Sequence, residues 1–151
     1  MERISGFRLL GLSLKDKTSN EQGQSSIDCG NLWQKFEQEK YFDKIPGKVS
    51  GDIYAVYHGY EGDYTSPFSY FIGCMVETDL KIIDSLDILV VPEGKYQIFR
   101  ANGKMPDCVA RTWGQIWSSD ISRAYQTDFE IYGEKSKDWN NAEIDIFISV
   151  R

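Results

Sequence analysis

The chain has 151 residues, three cysteines and a formal net charge of −6, so it is long enough to bury a core without disulfide or metal support. Its charges are spread evenly, with eight Lys/Arg against ten Asp/Glu over residues 1–75 and nine against thirteen over 76–151. That leaves no basic face for direct binding of nucleic acid, and no run approaches the ~18 apolar residues of a membrane helix.

Residues 2–14, ERISGFRLLGLSL, read as an apolar strand, and the Ser/Gln/Gly-rich residues 15–27 as a loop. Asp28 is placed to cap a helix running to about Tyr41, with Leu32, Trp33, Phe36 and Tyr41 as its apolar stripe. Strands follow over 52–60 and 68–77, joined by the turn EGDYTSP; Gly73 marks a bulge or a close approach. The order then repeats. ILVVPEGKYQIFRAN at 88–102 is a strand interrupted by Pro92. A helix spans Met105 to about Ser119, with Val109, Trp113, Ile116 and Trp117 on one side. TDFEIYGEK at 127–135 and EIDIFISV at 143–150 are the last two strands.

Strand–helix–strand–strand, twice, predicts an α+β protein of tandem βαββ repeats, about 1–80 and 81–151, within one domain. Local echoes support the repeat: LWQKF (32–36) with TWGQI (112–116), DIYAVY (52–57) with DFEIY (128–132), and FIGCMV (71–76) with DIFISV (145–150). The expected architecture is an antiparallel sheet, two main helices and a central cleft between the repeats, where ligands commonly bind.

The residue that invites a functional reading is Glu130, a carboxylate between Phe129 and Ile131. Strand alternation puts Phe129 and Ile131 on one face, Glu130 and Tyr132 on the other. Taking Ile144, Ile146, Ile148 and Val150 as the core face of the last strand sends Phe147 to the side of Glu130. The repeat alignment adds Tyr54, Phe71 and Met75 to that side. An aromatic face around one acid suits a flat cation, since each ring face contributes ~0.5–2 kcal/mol. A solvated strand glutamate is the plainer alternative, and the tryptophans lie on helix stripes that a core would also use. Trp113 and Trp117 are nevertheless the helix candidates for the site.

VPEGKYQIFRANG, W-x-x-I-W, TDFEIY and the closing EIDIFISV together resemble the GyrI-like effector-binding domain, found also at the C-terminus of AraC- and MerR-type bacterial transcription activators. The match is strongest over 88–151. The resemblance implies an SHS2-like tandem βαββ fold whose DFE-type glutamate, here Glu130, pairs with lipophilic organic cations in an aromatic pocket. The candidate lining is Tyr54, Phe71, Met75, Trp113, Trp117, Tyr132 and Phe147. No helix-turn-helix fits before the first strand, so the expectation is a stand-alone sensor or sequestering protein with another chain binding any DNA. Some relatives in that family resemble hydrolases of strained cyclopropane-bearing genotoxins, in which the glutamate helps activate water. Docking of a protein partner, such as a gyrase subunit or another regulator, is a third alternative.

Other chemistry finds little foothold. His58 is the only histidine, so a multi-histidine metal site is excluded, and Cys29, Cys74 and Cys108 read as free thiols of a cytoplasmic protein. No phosphate loop, dinucleotide fingerprint or nucleophile elbow occurs, and no cofactor is expected.

Overall fold

The computed structural model describes residues 1–77 and 85–151. The first half holds β1 (Glu2–Ile4), β2 (Phe7–Ser13), α1 (Gln24–Gln38), a short α2 (Tyr41–Lys44), β3 (Ile53–His58) and β4 (Ser69–Val76). The second holds β5 (Asp87–Val91), β6 (Gly94–Gly103), α3 (Asp107–Ser118), β7 (Thr127–Tyr132) and β8 (Ala142–Ser149). This is the tandem βαββ order read from the sequence. Among the described residues all strand pairings are antiparallel, in one eight-stranded sheet of order β1-β6-β8-β7-β3-β4-β2-β5.

The opening strand of each half is broken in two. β1 leaves its own half to pair with β6, and β5 leaves its own half to pair with β2. Glu2 faces Tyr96, Ile4 faces Gly94, Phe7 faces Val91 and Gly11 faces Asp87, so one register runs across both breaks. Pro92, which has no N–H for a ladder, sits at one break. Gly6 sits at the other, where a Cβ would come within 3.1 Å of the Val91 carbonyl oxygen. Each half thereby lends an edge strand to the other, and the sheet curls. The rings of Phe7 on β2 and Phe129 on β7 are 5.4 Å apart although the strands stand three places apart, a span of roughly 14 Å in a flat sheet. Gly73 marks a close approach. It faces Gly11, and a Cβ on either would collide with backbone of the other strand.

The curl gives the sheet an apolar core on each side. On the outer side α1 packs Leu32 and Phe36 against Leu10, Ala55, Ile72 and Cys74. Beside it α3 packs Cys108, Trp113 and Ile116 against Ala101, Ile144, Ile146 and Ile148. The inner side is filled by Leu9, Tyr54, Val56, Phe71, Val91, Tyr96 and Phe129, with Met75, Ile131 and Phe147 packed on them.

Two expectations need correction. Asp28 does not cap α1, which starts a turn earlier at Gln24; its carboxylate accepts hydrogen bonds from Thr18 Oγ1 (2.7 Å) and Gln24 Nε2 (3.0 Å) instead. Nor does α1 reach Tyr41, because Lys40 turns left-handed (φ 55°) and starts α2. The second correction concerns the faces. Glu130 lies opposite Ala55 and Ile146, whereas Phe129 lies opposite Val56 and Phe147. Glu130 therefore faces the helices, on the side of the isoleucines. Tyr54, Phe71, Met75 and Phe147 lie on the other side of the sheet. The alternation within each strand was read correctly; the offset between strands was wrong by one residue, which exchanges the faces.

Candidate functional site

α1 covers the β2–β4 side of the sheet and α3 the β6–β8 side. Between them, over the central strands β3 and β7, lies a cavity of about 570 Å³. Its floor is Tyr57, Tyr70, Glu130 and Tyr132, and its walls include Trp33 from α1 and Trp113 from α3.

Glu130 is buried at 1% exposure. Trp113 Nε1 donates to its Oε2 at 2.6 Å, and Tyr57 OH donates to the same oxygen at 3.1 Å. Tyr132 OH donates to Oε1 at 2.8 Å. A buried carboxylate needs such partners. Trp33 Nε1 donates to Tyr70 OH at 2.8 Å, which holds the opposite wall. The rings meet edge to face: Trp33 with Tyr132 at 5.0 Å, Tyr57 with Tyr70 at 5.0 Å, and Tyr57 with Trp113, tilted, at 4.9 Å. The result is an aromatic box fixed around one acid.

Burial pushes the Glu130 carboxyl above its ordinary value, and the hydrogen bonds from Trp113, Tyr132 and Tyr57 pull it back only in part. Burial first, and the Glu130 charge second, hold the phenols of Tyr57, Tyr70 and Tyr132 well above their usual range, so all three stay neutral donors. Cys29, on the α1 wall, is pushed up to about 12 by burial and then by Glu130 and Asp28, so it is a thiol and not a nucleophilic thiolate.

A second polar cluster adjoins the box. Asp128, two residues before Glu130 and on the same face, is fully buried. It accepts from Arg123 Nη2 (2.7 Å), Tyr60 OH (2.6 Å), Ser149 N (2.7 Å) and Ser149 Oγ (3.0 Å). Arg123 and Tyr60 both line the cavity. Tyr64 and Trp117 stack across it, 5.7 Å apart and 14° from parallel, with Trp117 partly exposed.

Of the sequence candidates, Glu130, Trp113, Trp117 and Tyr132 come together here. Tyr54, Phe71, Met75 and Phe147 do not; they belong to the inner core. Sequence reasoning missed Tyr57, Tyr60, Tyr64, Tyr70 and Arg123, and left Trp33 to the core. Tyr57 shares its strand face with Ala55, the residue that the strand pairing sets beside Glu130, and only that long-range pairing identifies it. Among the described residues, no group of His, Cys, Asp and Glu is placed to hold a metal, and no helix is long and apolar enough to cross a membrane.

A family model described as an integron-associated effector binding protein matches residues 1–150. An integron cassette protein from the mobile metagenome of Vibrio cholerae is 30% identical, with a TM-score of 0.75 over 99% of this chain and 94% of that one. The protein SAV2435, solved bound to tetraphenylphosphonium, is 18% identical with a TM-score of 0.79, over 99% of this chain and 92% of its own. A putative transcription regulation protein from Staphylococcus aureus is 17% identical with a TM-score of 0.73, over 99% and 95%. A search of curated proteins finds no match.

Proposed function

This chain belongs to the integron-associated effector-binding protein family, and we propose that its effectors are lipophilic organic cations held in the cavity between α1 and α3. The observation that carries this reading is Glu130. Asp128 is neutralised by Arg123, whereas among the described residues Glu130 has only neutral donors around it. A buried carboxylate without a countercharge favours a cation, and the surrounding ring faces add to that attraction. The cavity volume lies within the roughly 300–1,000 Å³ of small-molecule sites. The tetraphenylphosphonium complex of SAV2435, a protein of the same fold, supports the same ligand class. Three free cysteines fit a cytoplasmic setting.

Binding is preferred to hydrolysis because SAV2435, a protein of the same fold, was solved with its cation bound. The test is a titration with tetramethylrosamine, a planar cation, read by tryptophan quenching. The wild type is expected to saturate in the micromolar range and Glu130→Gln to bind about 1–3 kcal/mol more weakly. Equal binding by the two proteins, or binding by neither, overturns the reading. Phe147→Leu is the control: loss of inner-core packing lowers stability by about 1–2 kcal/mol in urea denaturation, with dye affinity unchanged.

A further inference from the structure

The two helices that flank the cavity are built alike where they border it. Trp33 and Trp113 hold equivalent positions in the two repeats, and both are walls of the aromatic box. Three residues before each tryptophan, on the same helix, stand Gly30 on α1 and Ala110 on α3, which also line the cavity. Residues three apart share a helix face. Trp113 is buried and Trp33 half-buried, whereas Gly30 and Ala110 are exposed. Each wall therefore carries a large ring at its foot and almost no side chain at its rim. Ser26 and Pro106, one turn further back and again equivalent, are compact, exposed and on the same walls.

Gly30 has no local reason to be glycine. It lies inside α1, where glycine weakens a helix more than any residue except proline. Its backbone does not call for one, because the glycines with positive φ are Gly23, Gly47, Gly59 and Gly103. Nothing passes close to it either: a Cβ built there meets no described atom within 4 Å. Since Gly30 borders the cavity, a longer side chain would take up room at its rim. The same holds for Ala110, its counterpart across the mouth. A flat cation needs little space between two walls. A cation with groups on every side of its charge needs the walls apart at the rim as well as at the floor.

We propose that Gly30 and Ala110 set how thick a ligand the cavity accepts, and that they hold it open to cations with bulky groups on all sides of the charge, such as tetraarylphosphonium ions; this rests on the cation reading of Glu130. The charged centre lies against Glu130 and the rings, and a substituent stands in the gap between α1 and α3. The rim selects through the room it leaves, since a larger residue there would clash with a thick ligand and spare a flat one.

Tetraphenylphosphonium, bulky on all sides, and N-methylacridinium, which is flat, test this in titrations read by tryptophan quenching. The wild type is expected to bind both. Gly30→Leu and Ala110→Leu narrow the rim from either side, and each is expected to weaken tetraphenylphosphonium about tenfold while leaving N-methylacridinium within about twofold. Gly114 on α3 is as open as Gly30 but does not line the cavity, so Gly114→Leu should change neither affinity. Leucine is the better helix former, so the melting temperature of Gly30→Leu should not fall below that of the wild type, which separates a narrowed rim from a damaged fold. If it does fall, Gly30→Ala decides with one added methyl: the ratio of the two affinities must still move against tetraphenylphosphonium. Equal losses of both cations, or no loss of either, overturn the inference, as does a wild type that binds N-methylacridinium and not tetraphenylphosphonium. A wild type that binds neither cation sinks the cation reading itself.

Discussion

Asp128→Ala is expected to destabilise the protein by about 3–5 kcal/mol, as the removal of one partner from a buried ion pair does. Four donors lose their acceptor together. Arg123 keeps its charge in a site that is almost dry, and Tyr60 OH and the N–H and hydroxyl of Ser149 are left without the oxygens that now take their hydrogen bonds. Against a typical 5–15 kcal/mol for a whole domain, this is enough to unfold a sizeable fraction of the molecules on mild warming. Urea denaturation measures it. Removing both charges, in Asp128→Ala with Arg123→Met, should recover part of the loss, since the penalty lies mainly in the stranded guanidinium. A double variant that loses the full sum of the two single changes would show that the pair is not coupled in this way.

Glu130→Gln is expected to change how stability depends on pH. In the folded protein the Glu130 carboxyl binds its proton more tightly than in the unfolded chain, where it has the ordinary value of 4.5. Below that value both states are protonated and the group has no effect. As pH rises through the ordinary value and on through the raised folded value, the unfolded chain gives up its proton first, and stability falls. Above the window the deficit is constant, ~1.4 kcal/mol for each unit of upward shift. The glutamine variant has no such slope, so its melting temperature relative to wild type should climb across the window and then level off. Glutamine can still accept from Trp113 and Tyr57 through its amide oxygen, and the phenol of Tyr132 can turn to accept from its amide N–H. Cation affinity should run the other way: in the wild type it rises with pH over the same window, and in the variant it stays low and flat. A pH-independent difference in melting temperature between the two proteins would show that Glu130 titrates normally.

The order of strands and helices was legible because each carries a strong local signal, such as Ile144/Ile146/Ile148 at period two or Trp113/Ile116/Trp117 on a helix stripe. Pro92 likewise announced a break. The break at Gly6, and the lending of β1 and β5 to the opposite halves, depend on long-range pairing that no local pattern encodes. The faces were illegible for a different reason. In an ordinary antiparallel sheet one side is apolar, and that side sets the offset between strands. Here the inner side holds Tyr54, Phe71 and Phe129, and the outer side holds Ala55, Ile72 and Ile146. With both sides apolar, either offset satisfies the pattern. Glu130 stood out because it is the wrong polarity for either core. Tyr57 and Tyr70 were hidden because a tyrosine on a buried strand is ordinary until its hydroxyl has a carboxylate or an indole to meet.

Ala55 is the residue directly across from Glu130 on the paired central strands, and it is completely buried. Aligning the halves so that Tyr57 answers Tyr132 and Trp33 answers Trp113 also makes Ala55 the counterpart of Glu130. Two identical βαββ subunits joined as a dimer would have to place the same residue at both positions. Glutamate at both would set two dry carboxylates about 5 Å apart, where they would share a single proton instead of each holding a charge. Alanine at both would leave the box neutral. A full, unshared negative charge at the centre of this near-symmetric box is therefore possible only because the two halves are free to differ, which a single continuous chain permits and a homodimer does not.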